Sequence, residues 1–430
     1  WQRAGKPDAG GALVSAPAAR VAPGGHHRHH PVMPDPSRPL LRLLPGRDRR
    51  VKAGHPWAFS NEIAMTPAAR ALPAGSLVRL EGDDGWRHGT FQFNPHSLIA
   101  ARRLDRDPEA AVEEPGWMQA RLAEALALRE RLYPGQSHYR LVHAEADGLP
   151  GLVIDRYGDA LALQANTAGM DRLTPQILAA LTALLAPRLV VARNDAAVRG
   201  LEGLAEAVHP LLGEGGAAHA EEGGLRFRVD LLGGQKTGWF FDQRENRARV
   251  AALASGASVL DAFCHTGGFG LRCAAAGATR VVLLDSSGHA LALAGESAAE
   301  NGLADRVQPR RGEALEALER MAAAGERHDI VIADPPAFAK ARKDQPAALR
   351  GYARLARLAA ALVAPGGFLF IASCSHHVAP GEFAEAAIHG IGRARREGRI
   401  LFQGGAGPDH PVHPLLPESA YLKAMLFQLA

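Results

Sequence analysis

Hydrophobic and polar positions fall into three regimes along the chain. In residues 38–107 they alternate with short period. Leu40-Leu41-Arg42-Leu43, Ser76-Leu77-Val78-Arg79-Leu80, Thr90-Phe91-Gln92-Phe93 and Leu98-Ile99-Ala100-Ala101 read as strands of a small β-rich module, with turn residues between them. In residues 108–225, segments 117–132 and 173–185 carry apolar residues at helical spacing. Segments 151–155 and 160–164 read as a strand pair around Tyr157-Gly158-Asp159, and 189–192 as a further strand. This predicts a central α+β unit that shows no chemistry of its own and spaces or orients its neighbours. In residues 226–430, strand candidates at 259–260, 280–284, 307–309, 330–333 and 368–372 alternate with Ala-rich helical stretches. That alternation predicts a mostly parallel sheet covered by helices. Ligands of such sheets bind at the carboxyl ends of the strands, near the point where strand order reverses.

Residues 1–37 are rich in Ala, Gly, Pro and His and show no period, so they are expected to be a disordered extension. Met33, just before the first patterned segment, is a candidate start. His26, His27, His29 and His30 have no acidic or cysteine ligand nearby and read as a solvent-exposed tract, not a metal site.

The 430 residues suffice for two or three domains, and 47% hydrophobic content predicts a core of normal size. No apolar stretch is long enough to span a bilayer, and no signal-peptide core opens the chain, so a cytoplasmic location is expected. The three cysteines, Cys264, Cys273 and Cys374, are too few and scattered for a disulfide framework or a four-ligand zinc site. No metal is expected. The formal net charge of +4 is compatible with nucleic acid without demanding it. Arg47, Arg49, Arg50 and Lys52 cluster, as do Lys340, Arg342 and Lys343, and Arg393, Arg395, Arg396 and Arg399. Each cluster alone reads as a solvated face. Beside the first, Trp57 and Phe59 suit base stacking, although the residue types alone favour core of a small barrel.

The candidate chemistry lies at strand ends. The run 259–260 leads into Asp261-Ala262-Phe263-Cys264-His265-Thr266-Gly267-Gly268-Phe269-Gly270, where glycines let the backbone approach a ligand and start a helix. The next strand ends in Asp285-Ser286, a carboxylate that can accept both ribose hydroxyls of a nucleoside. A dinucleotide fold competes, but the Gly-x-Gly-x-x-Gly spacing is absent. Glu313 follows the third strand and can bond an adenine amino group or simply favour a helix N-terminus. Asp334-Pro335-Pro336-Ala337-Phe338 ends the fourth. Its prolines remove two amide donors and stiffen a shelf that displays the Asp334 carboxylate to a flat substrate. Shelves that methylate exocyclic amines usually have an aromatic residue next, whereas Ala337 stands here.

Cys374 ends the fifth strand in Ser373-Cys374-Ser375. A free cysteine is most often a buried small hydrophobe. With Asp334 on the neighbouring strand, a nucleophile is favoured. A thiolate adding to C6 of cytosine makes C5 nucleophilic enough to take a methyl group. Asp334 would bond the N3/N4 edge. Cys264 and Cys273 lack such a partner and read as packing residues.

These motifs resemble the class I S-adenosylmethionine-dependent methyltransferases of ribosomal RNA. Residues 38–430 are similar to the bacterial large-subunit (23S) rRNA cytosine-C5 methyltransferases with an N-terminal PUA domain, a small RNA-binding barrel. Pro45-Gly46-Arg47 through Ser60-Asn61 matches the start of that barrel, and residues 234–247 look like the family's hairpin before the catalytic domain. The resemblance implies three domains: a PUA-like barrel at 38–107, the central unit at 108–225 and a Rossmann-like methyltransferase at 226–430. It implies S-adenosyl-L-methionine as cofactor, held by Asp261, Phe263, Thr266, Gly267, Gly268, Asp285, Ser286, Glu313, Asp334 and Pro335. It makes Cys374 the nucleophile and ribosomal RNA the partner, and leaves room for a homodimer. Arg47, Arg50, Lys52 and Trp57 move towards RNA binding, joined by Lys236 and Arg244, while Gln243 joins the cofactor or RNA contacts. Glu313 stands where relatives often carry Asp, and His265 where an aromatic is common. The alternatives are guanine methylation on the same scaffold, which needs no thiol, and a catalytically silent RNA-binding assembly factor.

Overall fold

The computed structural model describes residues 38–339 and 341–430. The expected disorder of 1–37, with its histidine tract and Met33, lies outside the described residues, as does Lys340. Three main sheets follow one another along the chain. The first joins β1 (Leu40–Arg42), β2 (Trp57–Ala58), β3 (Ser76–Glu81), β4 (Arg87–Phe93) and β5 (Ala101–Asp105) in the order β1-β3-β4-β5-β2. Its inward residues Val78, Leu80, Phe91 and Phe93 form a compact core. The strand expected at 98–101 begins only at Ala101. Leu98 is 70% exposed in a turn, because its segment curls before it can pair.

The second sheet joins β6 (His138–His143), β7 (Leu152–Tyr157), β8 (Ala160–Ala165), β9 (Leu189–Asn194) and β10 (Ala207–Leu212). β7 and β8 form the expected antiparallel pair, and helices Pro115–Leu132 and Thr174–Leu185 cover the sheet. A hairpin, β11 (Ala217–Glu222) and β12 (Leu225–Asp230), comes next. It corrects the expectation for 234–247. The hairpin turns at Gly223-Gly224, whereas residues 231–240 form a loop that runs through a short turn, Phe241–Gln243, into the helix Arg244–Ala251.

The third sheet contains β13 (Ser258–Ala262), β14 (Arg280–Asp285), β15 (Val307–Arg311), β16 (His328–Ala333), β17 (Val363–Ser373), β18 (Gly398–Gly404) and β19 (Lys423–Leu429). Its order is β15-β14-β13-β16-β17-β19-β18. β13 to β17 are parallel; the apolar runs of β13, β14, β16 and β17 reflect burial on both faces, whereas β15, at the edge, is polar and largely exposed. β19 runs antiparallel between β17 and β18. Strand order reverses between β13 and β16, so their carboxyl ends open the crevice where a ligand is expected. None of the described helices is long and apolar enough to cross a membrane.

Candidate active site

The loop after β13 turns back sharply. Phe263 and His265 adopt positive φ (60° and 50°), which side chains resist and which a binding loop tolerates. Gly267, at φ 80°, starts the helix Gly268–Ala275. A Cβ on Gly270 would lie 2.3 Å from Leu283 Cδ2, so only glycine lets this helix press against β14. The Gly270 amide donates to Asp261 Oδ2 (2.8 Å). Asp261 is therefore placed behind the cleft, 1% exposed, bracing the loop, and its burial pushes its carboxyl up to about 8. Of the predicted cofactor residues, Asp261 and Gly267 do not line the cleft; they shape its wall.

Phe263, Thr266, Gly268, Asp285, Ser286, Glu313, Asp334 and Pro335 do line it, around a volume of ≈ 300 Å³. Asp285 accepts the His265 amide and the Ser287 amide (2.9 Å each), which fixes its carboxylate while leaving lone pairs towards the cleft. Burial holds His265 neutral, down to about 4, and it meets Phe240 edge-on at 5.1 Å. It thus packs as a neutral aromatic ring. The acid set and the strand-end crevice fit a nucleoside cofactor. Asp285 would hold the ribose and Glu313 the adenine edge.

At the other end of the cleft stands Cys374. Ser373 and Ser375 point inward. Ser373 Oγ donates to the Tyr352 hydroxyl (2.8 Å), which also meets Ser375 Oγ (2.8 Å). Lys423 Nζ donates to the Ser375 carbonyl (2.6 Å). With both neighbours pinned, Cys374 is presented to the open side. Burial pushes its thiol up, and the Lys236 ammonium pulls it down. Asp334 accepts from Gln243 Nε2 (2.9 Å), whose own carbonyl is held by Asn246 Nδ2 (2.6 Å). Burial, then the charge of Asp242, push the Asp334 carboxyl up to about 7. At neutral pH it carries a proton about half the time.

A second, larger cavity of ≈ 880 Å³ lies beyond the thiol. Its walls come from the first and second sheets and from loops beside the third, and include Trp57, Arg140, His143, Glu145, His376 and Tyr421. Cys374, Lys236, Asp242 and Ala337 belong to both cavities. Trp57 resolves into a joint as well as a wall. Its indole N–H donates to Glu145 (2.8 Å), and the Arg102 guanidinium lies 5.3 Å from its ring.

The other basic residues separate. Arg244 is corrected: it is 6% exposed, donates to Gln136 (2.8 Å) and to the His138 carbonyl, and stacks on Tyr133. It joins the second and third sheets and offers no face to RNA. Arg47, Arg50 and Lys52 are exposed, but Arg50 pairs with Glu62 (2.9 Å) and Lys52 with Asp48 (2.6 Å) and Asp84 (2.7 Å). Lys236 stands over the Phe240 ring at 4.9 Å, facing both cavities. Cys264 and Cys273 are buried, as packing residues are. Sequence reasoning missed Asp242, Tyr421 and Lys423. Asp242 lies inside the 234–247 motif and was within reach; Tyr421 and Lys423 belong to no motif.

A parallel sheet with a glycine-bearing loop and acids at its switch point, completed by the antiparallel strand β19 between β17 and β18, has the layout of a class I methyltransferase fold. The family of S-adenosylmethionine-dependent methyltransferases matches residues 204–428, and the PUA-like domain matches residues 41–106. The chain is 35% identical over 391 residues to ribosomal RNA large subunit methyltransferase I of Shewanella denitrificans, covering 90% of this chain and 98% of that protein. The protein of the same name from Aeromonas hydrophila is 35% identical over 393 residues, with the same two coverages. A putative methyltransferase structure from Streptococcus mutans aligns with a TM-score of 0.75 at 19% identity, over 91% of this chain and all 100% of that one, and shares the fold. The chain belongs to the ribosomal RNA large subunit methyltransferase I family of S-adenosylmethionine-dependent enzymes. Its cofactor is S-adenosylmethionine, which supplies an electrophilic methyl group.

Proposed function

We propose that the enzyme methylates C5 of a cytosine in large-subunit ribosomal RNA through a covalent bond to Cys374. The observation that carries this reading is the position of Cys374 on the wall shared by the two cavities, with Asp334 on the adjacent strand. The smaller cavity suits the cofactor and the larger one an extruded nucleotide. Lys236 favours the thiolate, whose proton goes to water. Sγ bonds to C6 as the ring electrons move to N3, and Asp334 gives N3 its proton. C5 then takes the methyl group as its bond to the sulfonium sulfur breaks, leaving S-adenosylhomocysteine, and gives its own proton to water. The Sγ–C6 bond breaks, and the N3 proton returns to Asp334. Trp57 and Lys236 would contact the RNA, with Arg47, Arg50 and Lys52 on the exposed turn and short helix, Arg49–Lys52, between β1 and β2.

Bisulfite sequencing of ribosomal RNA from cells lacking the protein tests the base, the atom and the position together. One cytosine is expected to lose its protection. Unchanged protection everywhere would remove the cytosine reading. Cys374→Ala should abolish transfer and leave S-adenosylhomocysteine binding intact, whereas guanine N7 methylation would survive it.

A further inference from the structure

Asp242 is 6% exposed and lines both cavities beside Cys374. Its Oδ2 accepts the Tyr421 hydroxyl at 2.5 Å. Its Oδ1 is buried and has no hydrogen-bond partner among the described residues. A buried carboxylate oxygen without a donor is costly, so a donor is expected to arrive with a ligand. We infer that Asp242 selects cytosine over uracil by accepting the exocyclic 4-amino group of the extruded base. This rests on the cytosine reading above.

The two acids divide the labour. Burial alone would raise Asp242, but His410, Lys236, the Tyr421 hydroxyl and Arg140 outweigh it and hold the carboxyl below its usual value. Asp334, pushed the other way by burial and by Asp242 itself, holds a proton near neutrality. Neighbouring acids driven apart in this way take different roles. Cytosine presents a donor at N4 and an acceptor at N3. Ionised Asp242 and protonated Asp334 present an acceptor and a donor. Uracil presents O4 and N3–H, which mismatch both. Tyr421 is a positioning residue. Its hydroxyl holds Oδ2, and its ring stacks on His376 at 5.3 Å.

The test uses the full-length protein and large-subunit ribosomal RNA transcribed with 5-fluorocytidine or 5-fluorouridine. Fluorine at C5 cannot leave as a proton, so the Cys374 adduct persists and is read as a protein–RNA band on a denaturing gel. The wild type should trap fluorocytidine RNA only. Asp242→Asn should lower that adduct by about 10²-fold and admit fluorouridine RNA, because its amide can donate to O4. S-adenosylhomocysteine affinity should hold within about twofold, since Asp242, which borders both cavities, is assigned a contact to the base and none to the cofactor. Unaltered discrimination overturns the inference. A fall in S-adenosylhomocysteine affinity also overturns it, by assigning Asp242 to the cofactor. If Asp242→Asn does not fold, Tyr421→Phe carries the test: weakened discrimination supports the inference and full discrimination refutes it. No wild-type adduct with fluorocytidine RNA would overturn the cytosine reading itself, and this inference with it.

Discussion

Asp334→Asn should make the protein more stable and inactive at once, and the stability gain should grow with pH. The carboxyl stands near 7 in the folded chain against 3.8 as its ordinary value. The folded state therefore binds more protons than the unfolded state between those values, and stability falls as pH rises through the window. At pH 8 the burden of Asp334 is the full difference between the two values, which at about 1.36 kcal/mol per tenfold change in proton affinity comes to about 4 kcal/mol. At pH 5 only the stretch above 3.8 counts, about 1.6 kcal/mol. Asparagine removes both and weakens the Gln243 hydrogen bond by about 1 kcal/mol. The variant should thus gain about 3 kcal/mol at pH 8 and less than about 1 kcal/mol at pH 5, by urea denaturation. It cannot give N3 a proton, so methyl transfer should fall by about 10² to 10⁴-fold. A gain that is equal at both pH values, or that shrinks with pH, would refute the burial argument. Retained transfer would refute the role of the acid.

Three further outcomes are expected. Lys236→Met removes the ammonium charge that lowers the Cys374 thiol; alkylation by iodoacetamide at pH 7.5 should slow several-fold, because the thiolate fraction falls as the thiol holds its proton more tightly. Asp285→Ala should weaken S-adenosylhomocysteine binding by about 1.5–3 kcal/mol in calorimetry, as loss of hydrogen bonds to a charged group does, without changing RNA affinity. Arg244→Ala should destabilise by about 3 kcal/mol, because Gln136 and the His138 carbonyl lose a buried partner, while filter binding shows RNA affinity unchanged in the folded protein.

The strands that build the crevice were legible because burial on both faces leaves a local mark, a short continuous apolar run, as in Arg280–Asp285 and His328–Ala333. The antiparallel pair β18 and β19 carries short apolar runs too, Ile400-Leu401-Phe402 and Ala424-Met425-Leu426-Phe427, but these do not say where in the sheet the pair lies. β18 is an exposed edge, and nothing local encodes the direction in which β19 returns. The apolar character of Leu98 misled because residue type does not report whether a segment turns. The hairpin expected at 234–247 rests on the resemblance alone, which carries an element across without its register; the strands that pair are Ala217–Glu222 and Leu225–Asp230. Charge was the least legible. Arg50, Lys52 and Arg244 look alike in sequence, yet their partners lie at Glu62, Asp84 and Gln136.

By itself the sequence determined the parallel sheet and the residues at its strand ends, including Asp285, Glu313, Asp334 and Cys374. A parallel sheet brings all its carboxyl ends to one edge, so residues far apart in the chain share a crevice once the strands are known. Only the tertiary structure decided that Cys374 divides two cavities, that Asp261 stands behind the wall and that Asp242 and Tyr421 complete the site. Those facts depend on how the loop 231–240 and the approach to β19 pack against the sheet, and on the balance of burial against neighbouring charges that moves Asp334 up and Asp242 down. Burial and charge proximity are properties of the folded chain, and no local pattern carries them.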